Sequence, residues 1–229
     1  MAHTVKLKTN MRTKILLSAA AAMAAGLVSS NAQVYSANVV GYVQQSLQPG
    51  FNLVANPLDL DGTGTNNTVQ TVFGTQLPSA TVYAMSGGAF QPLAQYTSKG
   101  GWVGGTNYVN AALTPGQGVF VSVASATTVT MVGNVKQGSL STPFSSGFNI
   151  ISSQVPIAGL MQHTLNFQPA GGAATVYTFN AATQLYNPLS QYTSKGGWTG
   201  AGEPNLGVGQ AVVLSSGSSG NWSTNFTVQ

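Results

Sequence analysis

The sequence predicts an all-β fold: two tandem antiparallel β-sandwich-like or barrel-like modules, each with at most one short helix. Three observations predict it. The octapeptide QYTSKGGW stands at Gln95–Trp102 and again, unchanged, at Gln191–Trp198. Other matching segments flank both copies in the same order, at offsets of 92 to 97 residues. Runs rich in Val, Thr, Tyr and Phe are punctuated by Gly, Pro, Asn and Ser every ~8–12 residues, the spacing of sandwiches and barrels.

The chain begins with a leader. Arg12 and Lys14 precede an apolar run from Ile15 to Leu27, and Ser30-Asn31-Ala32 has the small residues of a cleavage site, so residues 1–32 read as a signal peptide with upstream residues. The apolar run is far shorter than the roughly 20 residues a membrane-spanning helix needs, which predicts no integral span after cleavage. The expected first module covers 33–137 and the second 138–229. Val39–Gln45 and Val132–Gln137 share a V-G-x-V-x-Q pattern, read as the start of each repeat and as a strand shared at the junction. Gly50–Val54 (GFNLV) then matches Gly147–Ile151 (GFNII), Ala80–Tyr83 matches Ala174–Tyr177, Pro92-Leu93 matches Pro188-Leu189, and Gly116–Val121 matches Gly209–Leu214. The helical candidate of the first repeat is Asn67–Phe73, capped by Asn66 or Asn67, with Val69, Val72 and Phe73 on one face. Leu160–Leu165 is its expected counterpart. The final Asn225–Val228 is expected to close the second module as Val129–Val135 closes the first.

Charge and composition exclude several functions. The formal net charge is +4, but Lys6, Lys8, Arg12 and Lys14 all lie in the leader segment. Beyond it Lys99, Lys136 and Lys195 are balanced by Asp59, Asp61 and Glu203, so no basic surface remains for nucleic acid. With no Cys there is neither a disulfide framework nor a thiolate metal site. His163 has no nucleophile elbow to serve, and Ser98-Lys99 or Ser194-Lys195 would point to opposite faces in a strand, so no catalytic residue is assigned. The expected protein is not an enzyme.

Two groups of residues are candidate sites. In Asp59-Leu60-Asp61-Gly62-Thr63-Gly64, the oxygens of Asp59, Asp61, Thr63 and Asn67 follow the spacing of a calcium loop, but Gln70 stands where a bidentate Glu belongs. With only two carboxylates the loop reads as a polar turn leading into the helix, with weak calcium binding as the alternative; no other cofactor is implied. The second group is the repeated octapeptide. If its aromatic faces are open, Tyr96, Trp102, Tyr192 and Trp198 offer stacking platforms for a sugar, with Gln95, Lys99, Gln191 and Lys195 donating to its hydroxyls. If they are closed, Tyr and Trp pack across a hairpin. Asn66, Asn221 and Asn225 begin N-x-S/T sequons, which matter only in a cell that glycosylates Asn.

The succession GFNLVANP, ATVY with a hairpin, and TPGQGVFV resembles a family of secreted bacterial β-module proteins, uncharacterised in function, in which such segments recur. The resemblance covers most of 38–229. The second copy departs from it at Ser152-Ser153-Gln154 and at Val208. It implies export and β architecture and transfers no catalytic residue. The expected function is therefore that of an exported, non-enzymatic structural or self-associating protein of the cell envelope or extracellular matrix. Its low charge and open strand edges favour contact between copies. The alternative is a carbohydrate-binding or adhesion module that engages a surface glycan through the duplicated Tyr/Trp loops.

Overall fold

Alternating apolar and polar residues give each repeat a ribbon and a sheet whose inner faces share a core. The computed structural model describes residues 39–86, 89–104 and 109–228, and the expected leader, 1–32, lies outside the described residues. In the first repeat, β1 (Val40–Leu47) and β7 (Thr127–Asn134) pair as an antiparallel ribbon. The strands β2 (Gly50–Ala55), β6 (Gly118–Val123), β3 (Ala80–Ser86), β4 (Ala89–Thr97) and β5 (Gly101–Val103) form an antiparallel sheet in that order. The second repeat has the ribbon β8 (Gly138–Phe144) with β18 (Gly220–Phe226). Its sheet runs β9 (Gly147–Ile151), β17 (Val212–Ser216), β11 (Ala173–Tyr177), β14 (Ser190–Thr193) and β15 (Gly197–Gly200). Two short pairs complete it, β10 (Gly159–Leu160) with β16 (Asn205–Leu206) and β12 (Phe179–Asn180) with β13 (Leu185–Tyr186). The fold is all-β and sandwich-like.

Registers repeat at the matched positions of the two sheets. Val54 faces Val119 as Ile151 faces Val212, and Tyr96 faces Trp102 as Tyr192 faces Trp198. Each corner from ribbon to sheet is clamped the same way. Gly50 and Gly147 take left-handed φ of 92° and 89°, and the Asn two residues on closes the turn: Asn52 with Gln48, Asn149 with Ser145. That turn aims Phe51 and Phe148 at one sheet face and Val54 and Ile151 at the other.

The V-G-x-V-x-Q segments are partners, not equivalents. Val40 pairs with Asn134 and Tyr42 with Val132 across one ribbon, while the true counterpart of β1 is β8, which opens the second repeat at Gly138. No strand is shared. The common pattern arises because Gly41 and Gly133, directly opposite each other, both make room for the loop at 58–60: a Cβ on Gly41 would lie 2.6 Å from Leu58, and one on Gly133 2.7 Å from the Asp59 carbonyl oxygen.

The helix α1 (Val69–Phe73) buries Val69, Val72 and Phe73 in the first core. Its cap is Thr68, not Asn66 or Asn67, and Thr68 and Thr71 exchange hydrogen bonds as a capping box. Leu160–Leu165 does not become a helix. Its amides at 162 and 163 are taken by Glu203, and the left-handed Asn166 (φ 60°) ends the turn; Met161 and Leu165 are nevertheless buried in the second core.

A third core joins the repeats. Leu53, Ala55 and Phe120 of one sheet meet Ile150, Ala211 and Val213 of the other. The joint is pseudo-twofold: Ala55 N donates to Gly209 O and Ser152 N to Gly116 O, both at 2.8 Å, and Val54 bridges Gln210 as Ile151 bridges Gln117. At its centre Gly118 faces Ala211, and a Cβ on Gly118 would lie 2.6 Å from that of Ala211 and 2.7 Å from Ile150 Cγ2. Gly118→Ala is therefore expected to destabilise the protein by about 1–3 kcal/mol through overpacking, and adding Ala211→Gly to recover part of the loss. Urea denaturation of the two variants checks this, and an unchanged midpoint for the single variant contradicts it.

Candidate functional site

Strand alternation divides the repeated octapeptide between two faces. Tyr96 and Trp102 turn toward the first core, their rings 5.4 Å apart and edge-on. Trp102 Nε1 donates to Gly74 O at 2.6 Å, and its ring stacks near Phe73 with centroids 6.4 Å apart. In the second repeat Tyr192 and Trp198 lie 5.3 Å apart, and Trp198 Nε1 donates to Gln162 Oε1 at 2.8 Å. Both tryptophans are half-buried against the core of their own repeat. Thr97 and Thr193 hold the turns by accepting from Gly100 N and Gly196 N at 3.1 Å, and Gly101 and Gly197 adopt φ of 67°. The indoles thus have structural work on one side of each sheet. Lys99 and Lys195 are exposed at the turns, while Gln95 and Gln191 are exposed on the opposite sheet face from their Tyr neighbours.

The acidic loop is knitted by its own amides. Asp59 is buried, and its Oδ1 accepts from Asn67 Nδ2 at 2.9 Å and Gly64 N at 3.3 Å. Asn67, also buried, turns its Oδ1 to Leu60 N at 2.9 Å. Asp61 is exposed, and its Oδ1 accepts from the Thr63 amide and hydroxyl at 2.9 and 2.7 Å, which hold its carboxyl below the ordinary 3.8. The oxygens of Asp59, Asp61, Thr63 and Asn67 therefore answer N–H and O–H donors of the loop, the pattern of a polar turn.

His163 has a partner forty residues away that the sequence did not reveal. Its exposed ring approaches Glu203 Oε2 through Nδ1 at 2.5 Å, while Glu203 Oε1 accepts from the amides of Gln162 (2.5 Å) and His163 (2.9 Å). The pair anchors the turn that buries Met161 and Leu165.

An open apolar surface lies between the two sheets, built from residues not singled out in the sequence. Phe51, Tyr83, Phe90 and Phe120 of the first repeat meet Phe179 and Tyr186 of the second around a cavity of about 290 Å³. A second cavity of about 230 Å³ adjoins it, sharing Phe90 and Tyr186 and lined also by Met85, Phe148, Tyr177 and Val213. Phe120 is the hub, edge-on to Phe51, Phe90, Phe179 and Tyr186 at centroid distances of 5.1 to 6.4 Å. Phe51, Phe90, Phe148 and Tyr186 remain 43–45% exposed, so the trough is open to solvent. No charged residue lines either cavity. Burial, with Tyr177 beside it, pushes the Tyr186 phenol above its ordinary 10.0, so it stands as a neutral donor. The legible signal was the repeated Phe of GFN and Tyr of ATVY, each alternating with a core residue.

Burial by itself raises the Glu203 carboxyl, but the amides of His163 and Gln162 and the His163 ring outweigh it, and the net shift is below the ordinary 4.5. A depressed carboxyl contributes stability that is complete above its unfolded value and disappears as pH falls through the folded one. The melting temperature is expected to fall on acidification below about pH 4.5, and Glu203→Gln to start lower and flatten that limb. Thermal melts across the acid range read this directly; an identical acid limb in the variant contradicts it.

Comparison with protein-family models, curated proteins and solved structures gave no match, so the geometry of the trough and of the two hairpins carries the functional argument.

Proposed function

We propose that this chain is an exported, non-enzymatic protein of the cell envelope or extracellular matrix that works by association, holding a partner in the aromatic trough between its repeats. The observation that supports this most is the half-exposed ring set of Phe51, Phe90, Phe148 and Tyr186. A concave apolar surface with few polar groups around it is often a binding surface. Among the described residues no His, Asp or Glu cluster of three exists, and no Asp, Glu, His, Lys or Arg lines the trough. Among the described residues no helix is long and apolar enough to cross a membrane. Nile red is expected to gain fluorescence on the native protein and to lose most of that gain in Phe90→Ser/Phe148→Ser; no gain with the folded wild type counts against the reading.

Self-association is supported by a separate surface. The outward face of β1 and β7 shows Val40 (67% exposed), Tyr42 (63%) and Val132 (46%), with Tyr42 directly opposite Val132. Among the described residues no strand pairs with the far edge of β1, so backbone groups and an apolar stripe stand together. Light scattering over a concentration series is expected to show oligomers that Tyr42→Ser/Val132→Ser disperses. A wild type that stays monomeric at high concentration removes this second reading.

A further inference from the structure

The trough continues into a polar row that both repeats carry in the same register. Across the second sheet Phe148 pairs with Ser215, Ser215 with Thr175, Thr175 with Gln191, and Gln191 with Thr199. Across the first the row is Phe51, Ser122, Thr81, Gln95 and Val103. Phe, Ser, Thr and Gln therefore occupy four successive strands in the same order in each repeat. They stand on the face that also bears Tyr177 and Val213, or Tyr83 and Phe120, because residues two apart in a strand share a face.

Nothing in the fold requires that identity. Gln95 and Gln191 are exposed, and the hydroxyls of Thr175 and Ser215 and the amide of Gln191 make no side-chain hydrogen bond among the described residues. The core positions behind the rows have meanwhile diverged, for example Val129 against Trp222 in the ribbons. In the second repeat the row lines a shallow depression of about 340 Å³ with Thr175, Gln191, Thr193, Thr199 and Ser215. The aromatic cavity of Phe148, Tyr177 and Tyr186 lies one pleat away on the same face.

We propose that this face binds a neutral glycan chain, a deepening that rests on reading the trough as the binding surface. Three features select that ligand. Strands about 4.8 Å apart set the hydroxyls and amide at roughly the spacing of successive pyranose units, and five strands span about 19 Å, room for several of them. The depression and the cavity are free of charged side chains, which suits a neutral chain and gives an anionic one no partner. The rings stay more than two-fifths exposed at Phe148 and Tyr186, so a flat sugar face can cover them while its hydroxyls reach the polar row, which an acyl chain cannot use. Pyranose rings pack on Phe148, Tyr177 and Tyr186, and their hydroxyls exchange hydrogen bonds with Ser215, Thr175 and Gln191. The duplicated tryptophans take no part.

The test is affinity electrophoresis and calorimetry with cellohexaose, laminarihexaose, xylohexaose and mannohexaose, with a dodecyl-chain detergent below its critical concentration as the apolar rival. Binding of at least one oligosaccharide is expected. Tyr177→Ala is expected to weaken it roughly tenfold or more, and Gln95→Ala/Gln191→Ala by a similar factor, while Lys99→Ala/Lys195→Ala leaves it unchanged. Circular dichroism confirms that each variant is folded, and the exposed Gln pair provides a readout should Tyr177→Ala fail that check. The proposal is overturned if none of the four oligosaccharides binds, if the double Gln variant binds as the wild type does, or if only the dodecyl chain binds. Nile red binding that persists without glycan binding removes this inference alone, and loss of both removes the trough reading with it.

Discussion

Two backbone hydrogen bonds related by a pseudo-twofold, Ala55 N to Gly209 O and Ser152 N to Gly116 O, set the relation between the repeats on which the trough depends. They work only because the chain comes very close there. Gly116 and Gly209 have left-handed φ of 90° and 68°, and a Cβ on either would collide with Thr142 or Gln45 of the opposite repeat. Gly118 against Ala211 completes the joint. It is an isologous interface inside one chain: each repeat offers the same patch to the other, as subunits do in a twofold dimer. Residues Asn38–Gln229 form one compact unit for this reason, although each repeat also has a core of its own.

The joint gives each sheet two working faces. One carries Val82, Val119 and Val121, or Val176, Val212 and Leu214, into the core beneath its ribbon. The other carries Leu53 and Phe120, or Ile150 and Val213, into the contact between repeats, and farther out Phe51, Tyr83, Phe148 and Tyr177 into the trough. The first strand of each sheet consequently carries apolar residues on both faces, which is why Leu53-Val54 and Ile150-Ile151 follow each clamping Asn without a polar residue between them.

That distinction marks what the sequence could and could not disclose. Strand content, the repeats and the hairpin turns follow from local periodicity and glycine placement, and the paired rings of Tyr96 with Trp102 and Tyr192 with Trp198 follow from the octapeptide itself. Which face those rings occupy does not, because alternation fixes relative direction only; the core side is settled by partners such as Phe73 and Gln162 from elsewhere in the chain. The trough draws on segments from Phe51 to Val213, beyond any local pattern. A bulge between Val82 and Tyr83 skips Leu93 in the pairing with β4 and shifts the alternation, so Phe90 reaches the trough side where simple counting from Gln95 places it on the other face. Asn67 and Asp59 match a metal loop in spacing because an Asx-rich turn uses the same side-chain oxygens to hold amides. Nothing in the structure explains the identity of Ser98-Lys99 with Ser194-Lys195.

The pseudo-symmetry is broken where a ligand would notice it. Phe120 occupies the position that Val213 holds in the second sheet, and Met85 the position of Phe179. Phe120 gathers four other rings around itself, whereas Val213 brings no ring to that position beside Phe148 and Tyr177. The row ends also differ, Val103 on one side and Thr199 on the other. Two equivalent half-sites would accept a chain in either direction with equal free energy. A trough with Phe120 and Val103 on one side and Val213 and Thr199 on the other does not, since reversing the ligand exchanges an aromatic contact at Phe120 and a hydroxyl at Thr199 for aliphatic ones. The repeats supply the twofold frame, and the divergence of a few residues on this face gives that frame a direction.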